Sequence, residues 1–366
     1  MGEAKKIGLI TNHRVQNYGA VLQTYALYKI LNELENVEVL DYSPDFSVKP
    51  IKFDLFNLLR QKTTMFFKPS SEIRKERFSN FLLDNIKLSD KHSSYEHLVS
   101  KIGEYAILVS GSDQIWSPKV WGKLYPAFFL AFASEDYKKI SYASSLGNGV
   151  YSNNEKSLVK EWLAKYSHIG VREHYAENYL RKELGVESQV VLDPTLLLSA
   201  HQYRKIIEVK DKQDSDYVLV YTPNQNPKEC IDFAKLIQKK IGAKEIRYIG
   251  GSSKYFNKKN GYIQESIAGP KEFISLFDRA RFVVTSSFHG TAFSVIFNRN
   301  FVNILNKREP ERAKTLLGDL GIIERILDQI DNIDNIELEI DYQTVNQKLE
   351  KLKLKSLDYL RNALDN

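Results

Sequence analysis

Apolar positions in this chain follow two alternating rhythms. Short, nearly continuous apolar runs at residues 6–11, 37–41, 105–109, 139–143, 168–171 and 189–192 read as buried strands. Between them apolar residues recur at helical spacing. Val21, Leu22, Tyr25, Ala26, Leu27, Ile30, Leu31 and Leu34 form one such stripe, and residues 154–165 and 175–184 form others. Polar residues accumulate over 199–215, where we place a domain junction. After it the alternation restarts, with strands at 217–221, 245–249, 281–285 and 301–304 and helices at 228–241, 271–278 and from Ala313 onward. Strands that alternate with helical stretches form parallel sheets. The pattern therefore predicts an α/β protein with two Rossmann-like domains, residues 1–200 and 216–342. A lysine-rich amphipathic helix lies in the terminal segment 343–366. It either returns to the first domain as a strap or ends the chain as a surface helix.

Residues 43–100 depart from this rhythm. Phe53, Phe56, Met65, Phe66 and Phe67 interleave with Lys49, Lys52, Arg60, Lys62 and Lys68, and a helix is predicted over 71–83. Such a basic, aromatic insertion can lie on an anionic membrane surface or grip a phosphate-bearing lipid carrier. The plainer reading is a pair of solvated helices over a sheet edge.

Polar residues cluster where strands run into helices. The run 281–285 ends in Ser286-Ser287-Phe288-His289-Gly290, and Thr291 opens the helical spacing that follows. Open α/β sheets bind ligands at such turns. The free N–H groups and positive end of the next helix favour an anion, and a histidine can donate a proton near neutral pH. The alternative is a histidine packed under a loop. The run 105–109 leads into Ser110-Gly111-Ser112-Asp113-Gln114-Ile115-Trp116, which offers a hydroxyl, a carboxylate, an amide and an aromatic face to a sugar. Asp113 can accept a proton from an attacking hydroxyl or merely cap a helix. The first loop carries Asn12, Asn17, Tyr18 and Gly19. Its polar character suits a hydroxylated ligand, and its plainer role is capping and turning. Arg172 ends the run 168–171, a natural fork for carboxylate or phosphate.

Composition narrows the partners. At 366 residues two domains are the natural expectation. The single cysteine, Cys230, excludes a disulfide framework and a cysteine-rich zinc site, so no metal is expected. No apolar run is long enough to cross a bilayer, and residues 1–6 lack a signal-peptide core. A cytoplasmic location follows, with the inner face of the cell membrane as the alternative raised by the insertion. Net charge is +6, too mild to call for nucleic acid. The loop after the first strand lacks the G-x-G-x-x-G fingerprint, which weakens a dinucleotide reading.

Several stretches in fixed order resemble one family, the polysaccharide pyruvyl transferases. They are Thr11-Asn12, Asn17-Tyr18-Gly19-Ala20-Val21-Leu22-Gln23-Thr24-Tyr25-Ala26-Leu27, Gly111-Ser112-Asp113-Gln114-Ile115-Trp116, Gly170-Val171-Arg172-Glu173, Val191-Leu192-Asp193-Pro194-Thr195 and Ser286-Ser287-Phe288-His289-Gly290. The resemblance implies a fold like that of GT-B glycosyltransferases, with two Rossmann-like domains facing across a cleft. It also implies transfer of the enolpyruvyl group of phosphoenolpyruvate onto two hydroxyls of a glycan, possibly lipid-linked, with no further cofactor required. His289 is then the general acid and Asp113 the base. Arg172 and Arg312, with Arg308 competing, meet the anionic donor beside Ser286, Ser287, Gly290 and Thr291. Asn12, Asn17, Tyr18, Gln23, Ser112, Gln114 and Trp116 face the acceptor. Many relatives carry an arginine or a leucine-bearing variant just before the histidine, where this chain has Ser287-Phe288, and an arginine there would hold donor phosphate. Arg279, Arg281 or Arg299 would then supply that charge. The competing readings are a GT-B glycosyltransferase that uses a nucleotide sugar and a noncatalytic glycan-binding protein.

Overall fold

A computed structural model describes residues 6–42, 69–92, 94–207, 215–223, 227–250, 262–305, 310–327 and 337–365. Among the described residues two six-stranded sheets organise the fold, each flanked by helices, and every strand pairing is parallel. The first sheet contains β1 (Lys6–Ile10), β2 (Asn36–Val39), β3 (Ile107–Ser110), β4 (Lys138–Ser144), β5 (His168–Val171) and β6 (Gln189–Val190), in the order β2-β1-β3-β4-β5-β6. The second contains β7 (Tyr217–Thr222), β8 (Glu245–Gly250), β9 (Tyr262–Gln264), β10 (Phe282–Thr285), β11 (Asn300–Ile304) and β12 (Ile326–Leu327), in the order β12-β11-β10-β7-β8-β9. Connections reverse direction between β1 and β3 in one sheet and between β7 and β10 in the other. A crevice opens outside the carboxyl ends of the strands at each reversal. The expected two-domain Rossmann-like α/β architecture is present.

Apolar periodicity located most elements to within a few residues. The edge strands β9 and β12 escaped it, since three and two residues are too few to show a period. The polar junction 199–215 was also read too generously, because its first part is a helix, Ala200–Ile207. That helix buries Tyr203 completely against Phe293 and Phe297 of the second domain, and Arg204 forks onto both carboxylate oxygens of Asp278. Three buried or half-buried apolar residues, Tyr203, Ile206 and Ile207, hold it there despite its polar composition.

The domains share one core. The helix Tyr18–Asn32, capped by Asn17, is buried on nearly every side. Its first turn crosses to the second domain, where Tyr18 stacks on Phe273 at 4.6 Å and donates its hydroxyl to the Ala268 carbonyl at 2.7 Å. Burial pushes that phenol up to about 12. From the insertion, the helix Ser70–Asn85 turns Phe78, Phe81 and Leu82 inward and joins the same cluster. Its Arg77 bonds the Ile267 carbonyl and pairs with Glu272. The described part of the insertion is thus an interdomain brace, and residues 49–68, on which the membrane reading leans, lie outside the described residues. Separate apolar clusters cover the outer face of each sheet. One of them seats Cys230, whose thiol burial pushes up to about 12.

The helix Tyr342–Asp365 touches both domains. Tyr342 donates to the Ser294 carbonyl of the second. Tyr359 donates to the Ser141 carbonyl of β4, and the Leu192 amide donates to Ser356. Among the described residues no helix is long and apolar enough to cross a membrane.

Phe273 touches Tyr18, Tyr221, Phe277 and Phe293 and is fully buried. Phe273→Ala should therefore cost about 3–5 kcal/mol by chemical denaturation. A cost under 1 kcal/mol would show that the interdomain core does not depend on this ring.

Candidate functional site

The two crevices face each other and merge into one cleft of about 250 Å³. Asn12, Asn17, Asp113, Gln114, Val120 and Trp121 line it from the first domain, and Tyr221, Pro223, Ser286, Ser287, Phe288, His289 and Arg312 from the second. Each wall begins where a strand ends, so backbone amides and short polar side chains converge with few apolar neighbours.

Behind this cleft lies a buried charge cluster. Arg172, at the end of β5, has a side chain only 2% exposed. Its Nη1 donates to Asp193 Oδ2 at 2.7 Å and its Nε to Glu173 Oε1 at 3.2 Å. Its Nη2 lies 3.7 Å from Asp113 Oδ1 and has no hydrogen-bond partner among the described residues. Burial disfavours the guanidinium charge, but Glu173, Asp193 and Asp113 outweigh it and hold Arg172 more basic than usual. Asp193 also accepts from the Thr195 amide and hydroxyl and from the Ser112 hydroxyl. Its burial would raise the carboxyl, yet the adjacent His289 imidazole, Arg172 and Thr195 hold it well below the usual carboxylate range. Burial dominates at Glu173 and raises it, even though Arg172 and the Ser145 hydroxyl favour its ionised form.

His289 stands on the first turn of the helix Phe288–Ile296, whose residues are all buried. Its Nε2 is 3.6 Å from Asp193 Oδ2, an ion-pair distance, and makes no hydrogen bond among the described residues. The other side of the ring rests on Gly19 of the first domain, where an added Cβ would meet Nδ1 at 2.0 Å. Gly290 fits as tightly, since a Cβ there would meet Thr285 Oγ1 at 2.1 Å. That hydroxyl accepts from the Ser287 amide, which fixes the turn carrying the imidazole.

Asp113 sits in the left-handed region with φ 75°. Non-glycine residues avoid that region, and such positions concentrate at functional sites. The neighbouring strand is irregular too: β4 slips register between Ser141 and Ser144, and Ala143 there has φ 53°. A bulge of this kind re-aims side chains at a strand end. Here it brings Ser145 to Glu173 at 2.5 Å and its amide to the Asp113 carbonyl at 3.0 Å.

The candidate residues do not all reach the cleft. Asn12, Asn17, Asp113, Gln114, Ser286, Ser287, His289 and Arg312 line it. Asn17 at the same time caps its helix through the Ala20 amide. Four expected acceptor contacts are corrected. Trp116 is fully buried, stacks on Phe129 and donates its indole N–H to the Phe128 carbonyl, so Trp121 presents the aromatic wall instead. Gln23 is buried against Thr11 and Ala20. Tyr18 spends its hydroxyl on Ala268, and Ser112 spends its own on Asp193. On the donor side, Gly290 and Thr291 are buried, with Thr291 bonded to Ser287 and Asn303, so their part is to shape the turn. Arg308 lies outside the described residues. Arg279, Arg281 and Arg299 do not line the cleft, and Arg281 pairs with Asp216 while Arg299 pairs with Asp278.

Sequence pattern assigns Asp193 no role, yet the structure places it at the centre of the cluster. The signal was there, since it is the lone charge in the apolar run 190–198, and a buried carboxylate in such a run requires a partner. Among the described residues no group of His, Cys, Asp and Glu is arranged to hold a metal ion.

The family model described as polysaccharide pyruvyl transferase matches residues 17–308. No curated protein matches the chain by sequence. Solved structures resemble it in fold. UDP-GlcNAc 2-epimerase from Neisseria meningitidis, bound to UDP-GlcNAc, superposes with a TM-score of 0.52 at 10% identity, covering 98% of this chain and 94% of that one. UDP-N-acetylglucosamine 2-epimerase from Rickettsia bellii gives 0.50 at 12% identity, covering 98% of both chains. An alpha-glucosyltransferase in complex with UDP and DNA gives 0.50 at 8% identity, covering 98% of this chain and 95% of that one. At such identities the likeness establishes the GT-B-like fold and nothing about ligands.

Two outcomes follow from this geometry. Asp193→Asn leaves Arg172 short of its best partner and should cost about 3–5 kcal/mol at pH 7. A carboxylate depressed by folding stabilises above its unfolded value, near 3.9, and that contribution is lost as pH falls through the folded value. The gap between wild type and Asp193→Asn should therefore narrow below about pH 4 in urea titrations. A gap that stays constant from pH 7 to pH 2.5 would remove Asp193 from the charge balance. Gly19→Ala should displace the His289 ring and cost about 1–3 kcal/mol through overpacking. The imidazole resonances of His289 in NMR spectra would report the shift, and unchanged resonances would mean that Gly19 does not set its position.

Proposed function

The chain belongs to the polysaccharide pyruvyl transferase family, and from that premise we propose that it converts phosphoenolpyruvate and a glycan diol into a cyclic pyruvate ketal and phosphate. The observation that carries this reading is the convergence of His289, whose Nε2 makes no hydrogen bond among the described residues, with Arg312 and Asp113 on one interdomain cleft, and with Arg172 buried directly behind it. In the overall reaction both sugar oxygens bond to the enol carbon, the bond from that carbon to the phosphate oxygen breaks, and the methylene becomes a methyl. One hydroxyl proton ends on that methyl and the other on phosphate, so no oxidant or reductant is needed.

His289 is suited to deliver the proton to the methylene or to the departing phosphate. Arg312 and Arg172 are suited to the donor's two anionic groups, because guanidinium forks match carboxylate and phosphate. Asp113 lines the acceptor wall as a carboxylate able to take a hydroxyl proton, with Asn12, Gln114 and Trp121 around the sugar. Placement of the product in capsule or exopolysaccharide synthesis, with the glycan on a lipid carrier near the membrane, belongs to the same proposal.

Purified protein supplied with phosphoenolpyruvate and bacterial glycans should release phosphate and yield a ketal methyl singlet by NMR. His289→Ala should lower turnover by about 10²- to 10⁴-fold with unchanged circular dichroism. Full activity in that variant would remove the histidine from the mechanism. Stabilisation by UDP or UDP-sugars but not by phosphoenolpyruvate in thermal shift would favour a nucleotide-sugar enzyme instead.

A further inference from the structure

Phe288 stands immediately before His289, at the start of the helix Phe288–Ile296. It cannot supply charge, yet its surroundings are unusual for a core phenyl. The ring is buried, with 6% exposure. The guanidinium carbon of Arg172, from the first domain, lies 4.8 Å from its centroid, and that of Arg312, from the second, lies 5.9 Å from it. The imidazole of His289 meets it edge to face, with centroids 5.2 Å apart and planes at 79°. The same ring forms part of two cavities. One is the cleft described above, and the other, of about 200 Å³, is lined by Arg172, Asp193, Arg312, Lys355 and the helix Glu311–Leu320.

Two guanidinium groups gathered at one site repel each other, and burial sharpens the repulsion. The carboxylates answer this for Arg172, which is bound to Asp193 and Glu173. A phenyl face offers each cation a further attraction without adding a hydrogen-bond acceptor that would compete with an incoming anion. We infer that Phe288 is a positioning residue: its ring holds Arg172 and Arg312, from opposite domains, as one clamp for a small anion that bears phosphate or carboxylate. The ring also explains how this chain manages with Ser287-Phe288 before its histidine. The two arginines already present are oriented, so a third cation in the turn is not required.

This inference rests on the donor reading only for the identity of phosphoenolpyruvate; the clamp itself is testable with inorganic phosphate. Calorimetry would measure binding of inorganic phosphate and of phosphoenolpyruvate to wild type, Phe288→Leu and Phe288→Tyr, each first checked for an unchanged unfolding midpoint. Phe288→Leu keeps an apolar side chain but loses the π face. It should weaken both ligands by roughly 3- to 30-fold, and Phe288→Tyr, which keeps the face, should bind within about twofold of wild type. In turnover assays Phe288→Leu should raise KM for phosphoenolpyruvate by a similar factor with a smaller change in kcat. Wild-type affinity in a folded Phe288→Leu protein would overturn the inference, as would equal losses in Phe288→Leu and Phe288→Tyr. Absence of phosphate binding in wild type would overturn it too. Phosphate binding that depends on Phe288, in a protein that never turns over phosphoenolpyruvate, would uphold the clamp and reject the proposed reaction.

Discussion

One buried cation sets the terms for the site. A guanidinium withdrawn from water costs several kcal/mol unless carboxylates and hydrogen bonds replace the lost solvation. Arg172 is surrounded by Asp193, Glu173 and Asp113, which come from the ends of three different strands of the first sheet. Meeting that requirement dictates much of the local backbone. The bulge in β4 delivers Ser145 to Glu173, the left-handed Asp113 turns toward Arg172, and the 193–195 turn gives Asp193 the amide and hydroxyl of Thr195. His289 then enters from the second domain and completes the shell around Asp193. The site is an electrostatic closure that neither domain makes alone.

Much of this architecture was legible in the chain because period and punctuation carry it. Parallel strands buried on both faces appear as continuous apolar runs, and the polar residues that follow each run mark the crevices. Asp113, Gln114 and His289 were found in this way, whereas Arg312 came only with the family resemblance. Their neighbours were harder to read because a sequence shows which residues are polar and not which are already satisfied. Trp116 and Trp121 stand five positions apart in one loop, and only the packing of Phe128 and Phe129 decides which ring turns inward. Tyr18 and Gln23 read as contacts for a ligand, yet their polar atoms are taken by the protein itself. Gly19 looked like a turn residue, and its purpose lies in a histidine 270 positions away.

The same limit applied to the basic, aromatic insertion. Arginine and phenylalanine at helical spacing suit a membrane surface and an interdomain brace equally well, since both bury one face and solvate the other. Phe78 lies against Tyr18 with ring centroids 5.0 Å apart, and Arg77 reaches Ile267 and Glu272. In this stretch amphipathicity established that a face would be buried but not against what.

The helix Tyr342–Asp365 has a mechanical consequence. Its 24 residues form a rod about 36 Å long, pinned to the second domain near Tyr342 and to the first near Tyr359. This stiff return adds to the forward chain and to the shared core that already join the domains. An added tether leaves fewer degrees of freedom. Sliding or wide splaying would have to bend or detach the rod, whereas a twist about its long axis would not.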